Sequence, residues 1–321
     1  MSALRNYAGH AADHDLFGSV AMRGVVKHHE PMAPHTSWRV GGPADRYFEP
    51  ADRQDLIEFV RALAPGEPVL WIGLGSNLLV RDGGLRGTVI CLHGALEHLE
   101  LRNGSPGHNV IHAEAGVHCA RLAKFAQQNK RAGLGFMAGI PGTVGGALAM
   151  NAGAWGGETW PSVLEVEVLL RSGRAEWWSV SAFKWDYRHV EMPKTVLGFL
   201  AARFGVTADE DGSHERYTKE ALARRKATQP VGKPSAGSTF RNPPGDHAAR
   251  LIESCGLKGH RIGGAEVSTQ HANFIITDEG ARAADVEALI RHVQRVVRDK
   301  AGVELQPEVR IVGAPAGGAD A

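Results

Sequence analysis

Two glycine-dense segments carry the residue types from which a phosphate site is built. The longer is Gly139-Ile-Pro-Gly-Thr-Val-Gly-Gly-Ala-Leu-Ala-Met-Asn-Ala-Gly-Ala154, the shorter Gly73-Leu-Gly-Ser-Asn-Leu-Leu-Val80. Glycine lacks a Cβ, so backbone N–H groups can close on a ligand. Successive N–H groups then form a concave nest for phosphate oxygens. Apolar residues fill the gaps between the glycines, which a flexible linker would not have. Each segment alone reads equally well as tight turns in a packed core. Together, with Ser, Asn and Thr among them, they point to two cradles and a ligand with two phosphates, such as a dinucleotide. The nearest GxGxxG match, Gly133-Leu-Gly-Phe-Met-Ala138, follows a helical stretch rather than a strand. That context disfavours a nicotinamide cofactor in a doubly wound domain.

The elements that must position these loops show in the periodicity. Asp52 is placed to cap a helix running to Leu63, with Leu56, Ile57, Phe59, Val60 and Leu63 on one face. Val69–Ile72 and Thr88–Leu92 read as strands, and His118–Arg131 as a helix stopped by Gly133. Leu164, Val166, Val168 and Leu170 alternate with Glu165 and Glu167, the pattern of a half-exposed strand. Residues 205–216 read as a polar connection between domains. Beyond them come a basic helix at Thr218–Ala227, a Gly/Pro/Ser stretch at Pro230–Pro244 and a helix near Asp246–Cys255. A strand at Asn273–Thr277, an amphipathic helix at Asp285–Lys300 and a last strand at Val309–Val312 complete the reading. No internal repeat is present. Mixed elements with large glycine loops imply an α+β arrangement in two or three lobes.

Composition narrows the class. The 321 residues are 43% hydrophobic and 22% charged, with a formal charge of +1. No global basic field or aromatic platform exists to hold nucleic acid. The start has no apolar signal core and no apolar run approaches spanning length, so a cytoplasmic protein without membrane insertion is expected. Cys91, Cys119 and Cys255 are odd in number and widely spaced, which disfavours a disulfide scaffold or a zinc site. His28-His29 reads as a solvated pair, and no metal site is expected.

Beyond these general features, three stretches resemble one family: Thr36-Ser-Trp-Arg-Val-Gly-Gly-Pro-Ala44, the Gly73–Val80 segment, and Gly139–Ala147 with Met150–Ala154. That family is UDP-N-acetylenolpyruvoylglucosamine reductase. The resemblance continues through Tyr187-Arg188, Pro234-Ser-Ala-Gly-Ser-Thr-Phe-Arg-Asn-Pro243 and Gly256-Leu-Lys-Gly-His-Arg-Ile-Gly-Gly264. His271–Ile275 and Leu305-Gln-Pro-Glu-Val-Arg310 extend it, covering roughly residues 30–312. The glycine segments alone would fit any flavin protein of this fold. The Ser-Ala-Gly-Ser-Thr-Phe-Arg-Asn-Pro stretch and the Pro-Glu-Val-Arg end are far more specific.

The resemblance implies a two-lobed FAD-binding domain of the flavin-oxidase (PCMH) type and a smaller α+β substrate domain. Expected boundaries are a loose segment at 1–29, FAD lobes at 30–95 and 96–204, and a substrate domain at 214–303. A returning strand at 304–312 and a disordered tail at 313–321 follow. The implied activity is NADPH-dependent reduction of UDP-N-acetylglucosamine-enolpyruvate to UDP-N-acetylmuramate in peptidoglycan precursor synthesis. NADPH reduces non-covalent FAD and leaves. The sugar nucleotide then takes hydride at its methylene carbon and a proton at the neighbouring carbon. No obligate protein partner is evident.

Hydride addition leaves negative charge beside a carboxylate, so the site needs fixed positive charge or donors aimed at those oxygens. The matched residues are Arg188, able to grip a carboxylate through two N–H groups, and Glu308, which helps only if burial keeps it protonated. Spacing alone would leave both as ordinary ion pairs. Ser238 matches the family's proton donor; without the motif it would not stand out from Ser235, and turn serines mostly bond their own backbone. Matched cofactor contacts are Gly73, Gly75, Ser76, Asn77, Leu78, Gly139, Ile140, Gly142, Thr143, Gly145, Gly146, Asn151, Ala152 and Gly153. Candidate substrate contacts are Tyr187, Lys226, Arg241, Asn242, His271 and Arg310. Asn273, like His271, reads as a core hydrogen bonder.

Departures from the family pattern are specific. His189-Val190 follows Tyr187-Arg188 where the family usually has any residue and then Ser, and Arg241 stands where Lys is common. The short spacing from Arg188 to Ser238 resembles the class lacking an extra tyrosine-bearing loop, so another element must shield the site. Two rival readings are an FAD oxidase of the same fold and a non-catalytic flavin-binding module. Oxidases often tether FAD through His or Cys near the first glycine segment, and Gly73–Val80 has neither. A dead module would have lost Ser238, Arg188 or Glu308, and all are present.

Overall fold

The computed structural model describes residues 22–103 and 109–317, and the expectations for 1–21 and 318–321 lie outside them. The first lobe is a four-stranded sheet in the order Val25–Pro31, Pro43–Glu49, Leu85–Cys91, Val69–Ile72. Its first pair is antiparallel and the rest parallel. Helix α1 (Arg53–Ala62) makes the crossover from Pro43–Glu49 to Val69–Ile72, which flank Leu85–Cys91 in parallel. Asp52 caps that helix, accepting from the Asp55 N–H at 3.0 Å, while Leu56, Phe59 and Val60 are buried.

Residues 25–29, expected to be loose, instead form most of the edge strand. The reason lies in helix α1. The fully buried Asp55 carboxylate accepts from the backbone N–H groups of Arg23, Gly24 and Ala51, which pins the incoming chain.

The second lobe is a six-stranded sheet. Ala175–Ser179, Val163–Leu170, Val196–Ala208, Asn109–Glu114 and Leu99–Asn103 lie in that order, and Arg131–Ala132 pairs with the end of Val196–Ala208. Helices α2 (Cys119–Gln128) and α3 (Val144–Met150) belong to this lobe, and their apolar residues join those of the sheet in one core. Strand Val163–Leu170 departs from simple alternation: Leu164 is exposed and Glu167 is buried against Arg53. Irregularities in its pairing with Val196–Ala208, between Val163 and Glu165 and between Glu167 and Val168, shift which face each residue meets.

The expected connection at 205–216 is shorter, because Val196–Ala208 runs on as a strand and helix α4 (Ser213–Thr228) starts soon after. Helix α5 (Ala248–Ser254), a three-stranded sheet of Arg261–Ile262, Ala265–Val267 and Ile275–Thr277, and helix α6 (Ala283–Ala301) make the smaller α+β domain. Helix α6 buries Val286, Leu289, Ile290, Val293 and Val297 along its periodic face. Trp38 ties this domain to the first lobe: its indole N–H donates to the Ile275 carbonyl at 2.7 Å, and Thr277 Oγ1 donates to the Trp38 carbonyl at 2.7 Å.

The chain then returns, and Arg310–Val312 pairs in parallel with Leu78–Val80, directly after the first glycine segment. The first part of the expected disordered tail is held, since Ala314 exchanges backbone hydrogen bonds with Gly83 and Gly84. The fold therefore converges both glycine segments, the Ser238 stretch and the C-terminal strand on one place.

Candidate active site

A cavity of about 360 Å³ lies between the two lobes and the smaller domain. Gly73–Leu78 form one wall and Gly139–Thr143 with Gly146 another. At Gly75 the backbone has φ +60°, and a Cβ there would strike the His35 carbonyl, so only glycine suits both the turn and the close approach. Ser37 N–H donates to the Gly75 carbonyl at 3.3 Å, fixing the turn from behind. Among the described residues, the backbone N–H groups of residues 73–77 and of Thr143 have no protein acceptor. Side chains at Gly142 and Gly146 would meet nothing closer than 3.5 Å, so these two leave cavity space free. Unpaired donors around space that larger residues would fill fit the diphosphate of a flavin dinucleotide. Gly73–Asn77, Thr143, Gly142 and Gly146 would hold it.

Two expected cradle residues serve the scaffold instead. Gly145 packs on the Ala115 backbone, donating its N–H to the Ala115 carbonyl at 2.9 Å, and a Cβ would lie 3.1 Å from Ala115 Cβ. Asn151 is fully buried in the left-handed region, with φ 44°. Its side chain donates to Glu158 Oε2 and the Asp186 carbonyl, both at 3.0 Å, and accepts from Trp160 N–H at 3.1 Å. Neither lines the cavity, whereas Gly139, Ile140, Ala152 and Gly153 do.

Arg188, Ser238 and Glu308 line the same cavity, with Arg188 held on the second glycine segment and the Glu308 carbonyl accepting from Asn77 Nδ2 of the first at 3.2 Å. Arg188 sits at φ 55° in the two-residue turn between strands Lys184–Asp186 and His189–Glu191. A non-glycine residue in that region costs about 1 kcal/mol or more and persists where its surroundings hold it. Here they do. Arg188 Nε donates to Glu308 Oε1 at 3.0 Å, and its terminal nitrogens donate to the Asn151 and Gly153 carbonyls at 3.3 and 2.7 Å.

Glu308 is presented by a ladder between two chain segments. Its N–H donates to the Thr239 carbonyl at 2.8 Å, Arg241 N–H donates to the Gln306 carbonyl at 2.9 Å, and Phe240 bridges Pro307. Ser238 therefore lies at the end of the strip that holds Glu308. Asn273 supports the strip from below, donating to the Phe240 carbonyl at 2.8 Å and accepting from Phe240 N–H at 3.0 Å. Burial pushes the Glu308 carboxyl up from its usual range, against the lowering pull of Arg188 and Arg241.

The expected substrate contacts divide. Tyr187, Asn242 and Arg310 line the cavity. Arg241 lies behind it, donating to the Arg188 carbonyl at 3.2 Å. His271 does not line it: its Nδ1 accepts from Asn273 N–H at 3.3 Å, and its ring meets Phe274 edge-on at 4.7 Å. Burial and the nearby Lys258 hold the His271 imidazole below its ordinary pKa.

Lys226 is exposed on helix α4, and its neighbour Arg225 lines the cavity instead, donating to the Gly139 carbonyl at 2.9 Å. The sequence held a signal for this. Ala221 is the buried residue of that helix, and Arg225 lies one turn further on the same face. Arg225→Ala should raise the KM for an anionic nucleotide by about tenfold, matching one lost charge-assisted hydrogen bond. Lys226→Ala should leave it within about twofold. Steady-state kinetics on the two variants reads the difference directly.

Among the described residues no cluster of three metal-ligating side chains occurs, and no helix is long and apolar enough to cross a membrane. Residues 44–179 match the FAD binding domain family, and residues 229–312 match the C-terminal domain of UDP-N-acetylenolpyruvoylglucosamine reductase. The reductase of that name from Methylococcus capsulatus is 54% identical over 291 residues, covering 91% of this chain and 94% of that protein. The one from Alkalilimnicola ehrlichii is 52% identical over 90% of this chain and 95% of its own length. Among solved structures, the Thermus caldophilus reductase superposes with a TM-score of 0.76 at 31% identity, over 91% of this chain and 99% of that one. With a flavin cradle, an Arg–Glu–Ser constellation in the same cavity and relatives matched nearly end to end, the chain is an oxidoreductase belonging to the UDP-N-acetylenolpyruvoylglucosamine reductase family.

Proposed function

We propose that this enzyme reduces UDP-N-acetylglucosamine-enolpyruvate to UDP-N-acetylmuramate, using FAD and NADPH, with Ser238 as proton donor. Bound FAD supplies hydride transfer, from NADPH to the flavin and then to the methylene carbon of the enolpyruvyl group. The carbon beside the carboxylate then carries the excess electron pair, delocalised as an aci-carboxylate. Three of the five Arg188 N–H donors are already engaged by Glu308 and two backbone carbonyls, which orients the guanidinium rigidly. One N–H on each terminal nitrogen remains for the substrate carboxylate, with Glu158 Oε1 3.9 Å from one of those nitrogens.

A protonated Glu308 would offer an O–H to the same oxygens where a bare carboxylate would repel them, and burial raises its carboxyl in that direction. The Ser238 hydroxyl gives its proton to the electron-rich carbon and is restored from solvent. A serine is a weak acid, and it suffices because the carbon it serves is strongly basic. Arg225 and Arg310, both on the cavity wall, supply positive charge for the nucleotide diphosphate.

The observation that carries this reading is the meeting of Arg188, Glu308 and Ser238 in the cavity that the glycine cradles line. Incubation of the purified protein with NADPH and the enolpyruvyl sugar nucleotide tests it by mass spectrometry. A product heavier than the substrate by two hydrogens supports the reading, and unchanged substrate with consumption of NADPH and oxygen would favour an oxidase.

A further inference from the structure

Arg188 has a second acidic neighbour that the reaction does not use. Glu158 Oε1 lies 3.9 Å from an Arg188 terminal nitrogen, on the side opposite the Nε–Glu308 bond. Its other oxygen accepts from the buried Asn151 amide at 3.0 Å. Strand pairing of Glu158 with Gly153, whose carbonyl Arg188 also binds, fixes the carboxylate in place. The Glu158, Arg188 and Glu308 side chains are 27%, 14% and 18% exposed, so solvent screens the trio poorly.

We propose that Glu158 is a positioning residue that keeps Arg188 partnered while Glu308 holds its proton. The inference rests on the role given to Glu308 under the proposed function. Without Glu158, the charge of Arg188 would be balanced by Glu308 alone, and every approach of that guanidinium favours an ionised Glu308. With Glu158 present, the guanidinium is shared, so Glu158 raises the pH at which Glu308 loses its proton. The other charged group acting on Glu308 is Arg241, which favours the ionised form. Glu158 thus works against the pull of two guanidinium groups, Arg188 and Arg241.

The test is a pH titration of the flavin-loaded enzyme by infrared difference spectroscopy, following the C=O band of a protonated carboxyl that disappears in Glu308→Gln. In Glu158→Gln, which keeps an acceptor for Asn151 and removes the charge, the midpoint should fall by about one pH unit, the effect of a single neighbouring charge. The alkaline limb of the rate of flavin reoxidation by substrate should move with it. Glu158→Asp should restore both. Glu158→Ala, which also removes the charge, should shift the midpoint the same way. An unchanged midpoint in the Gln and Ala variants, or a rise, overturns the proposal. Absence of any Glu308-dependent band in the wild type while product still forms overturns it as well, and separates that failure from failure of the overall reaction.

Discussion

Ser238→Ala should let NADPH bleach the flavin at the normal rate and then leave it reduced when the enolpyruvyl sugar nucleotide is added. Reoxidation by substrate should slow by about 10²–10⁴, the range for a lost general acid. The structure explains why the two half-reactions separate. Ser238 immediately precedes the strip that pairs with residues 306–308, and it lines the cavity. Its removal takes away a hydroxyl and leaves the cradle, Arg188 and Glu308 as they are. Stopped-flow absorbance resolves the halves independently. Equal slowing of both would mean that the change disturbs flavin placement, and normal turnover would remove Ser238 from the chemistry.

Gly142→Val should fold and yet purify with little flavin. The free space at this position means that added methyl groups point into the cavity, near Ser76 Oγ at 3.5 Å, rather than into the protein. They would occupy the volume that a diphosphate needs. Gly145→Val should behave differently, because its side chain would press on Ala115 under helix α3. There the expected loss is stability, about 1–3 kcal/mol for an overpacked contact, with flavin loss following from it. Thermal unfolding of both proteins after flavin removal separates the cases: Gly142→Val should melt near wild type and Gly145→Val several degrees lower. Full flavin content in Gly142→Val would show that the second glycine segment is not the cradle.

Much of the arrangement was legible in the chain, and the parts that were not have identifiable causes. Helix α1, helix α6 and the strands beside the first glycine segment follow from local periodicity and a capping aspartate, and each stands close to where the pattern puts it. The glycine segments also announced themselves, since their composition has few other uses. Residues whose role depends on distant partners did not. Asp55 orders the incoming chain through bonds to residues 23, 24 and 51, which no periodicity records. The strand pattern at Leu164–Leu170 misled because bulges in the pairing reset its faces. Lys226 and Arg225 differ by one position, yet that rotation decides which cation meets the cavity. Glu158 had no sequence signal at all, and its place beside Arg188 depends on a hairpin and a buried asparagine.

In the proposed reaction one cavity takes electrons from NADPH and passes them to the enolpyruvyl group. Anaerobic flavin absorbance tests it most directly, by reducing the flavin-loaded protein with NADPH and then adding UDP-N-acetylglucosamine-enolpyruvate. Prompt return of the oxidised spectrum is the predicted result. Bleaching that persists until air is admitted would contradict the account and favour an oxidase.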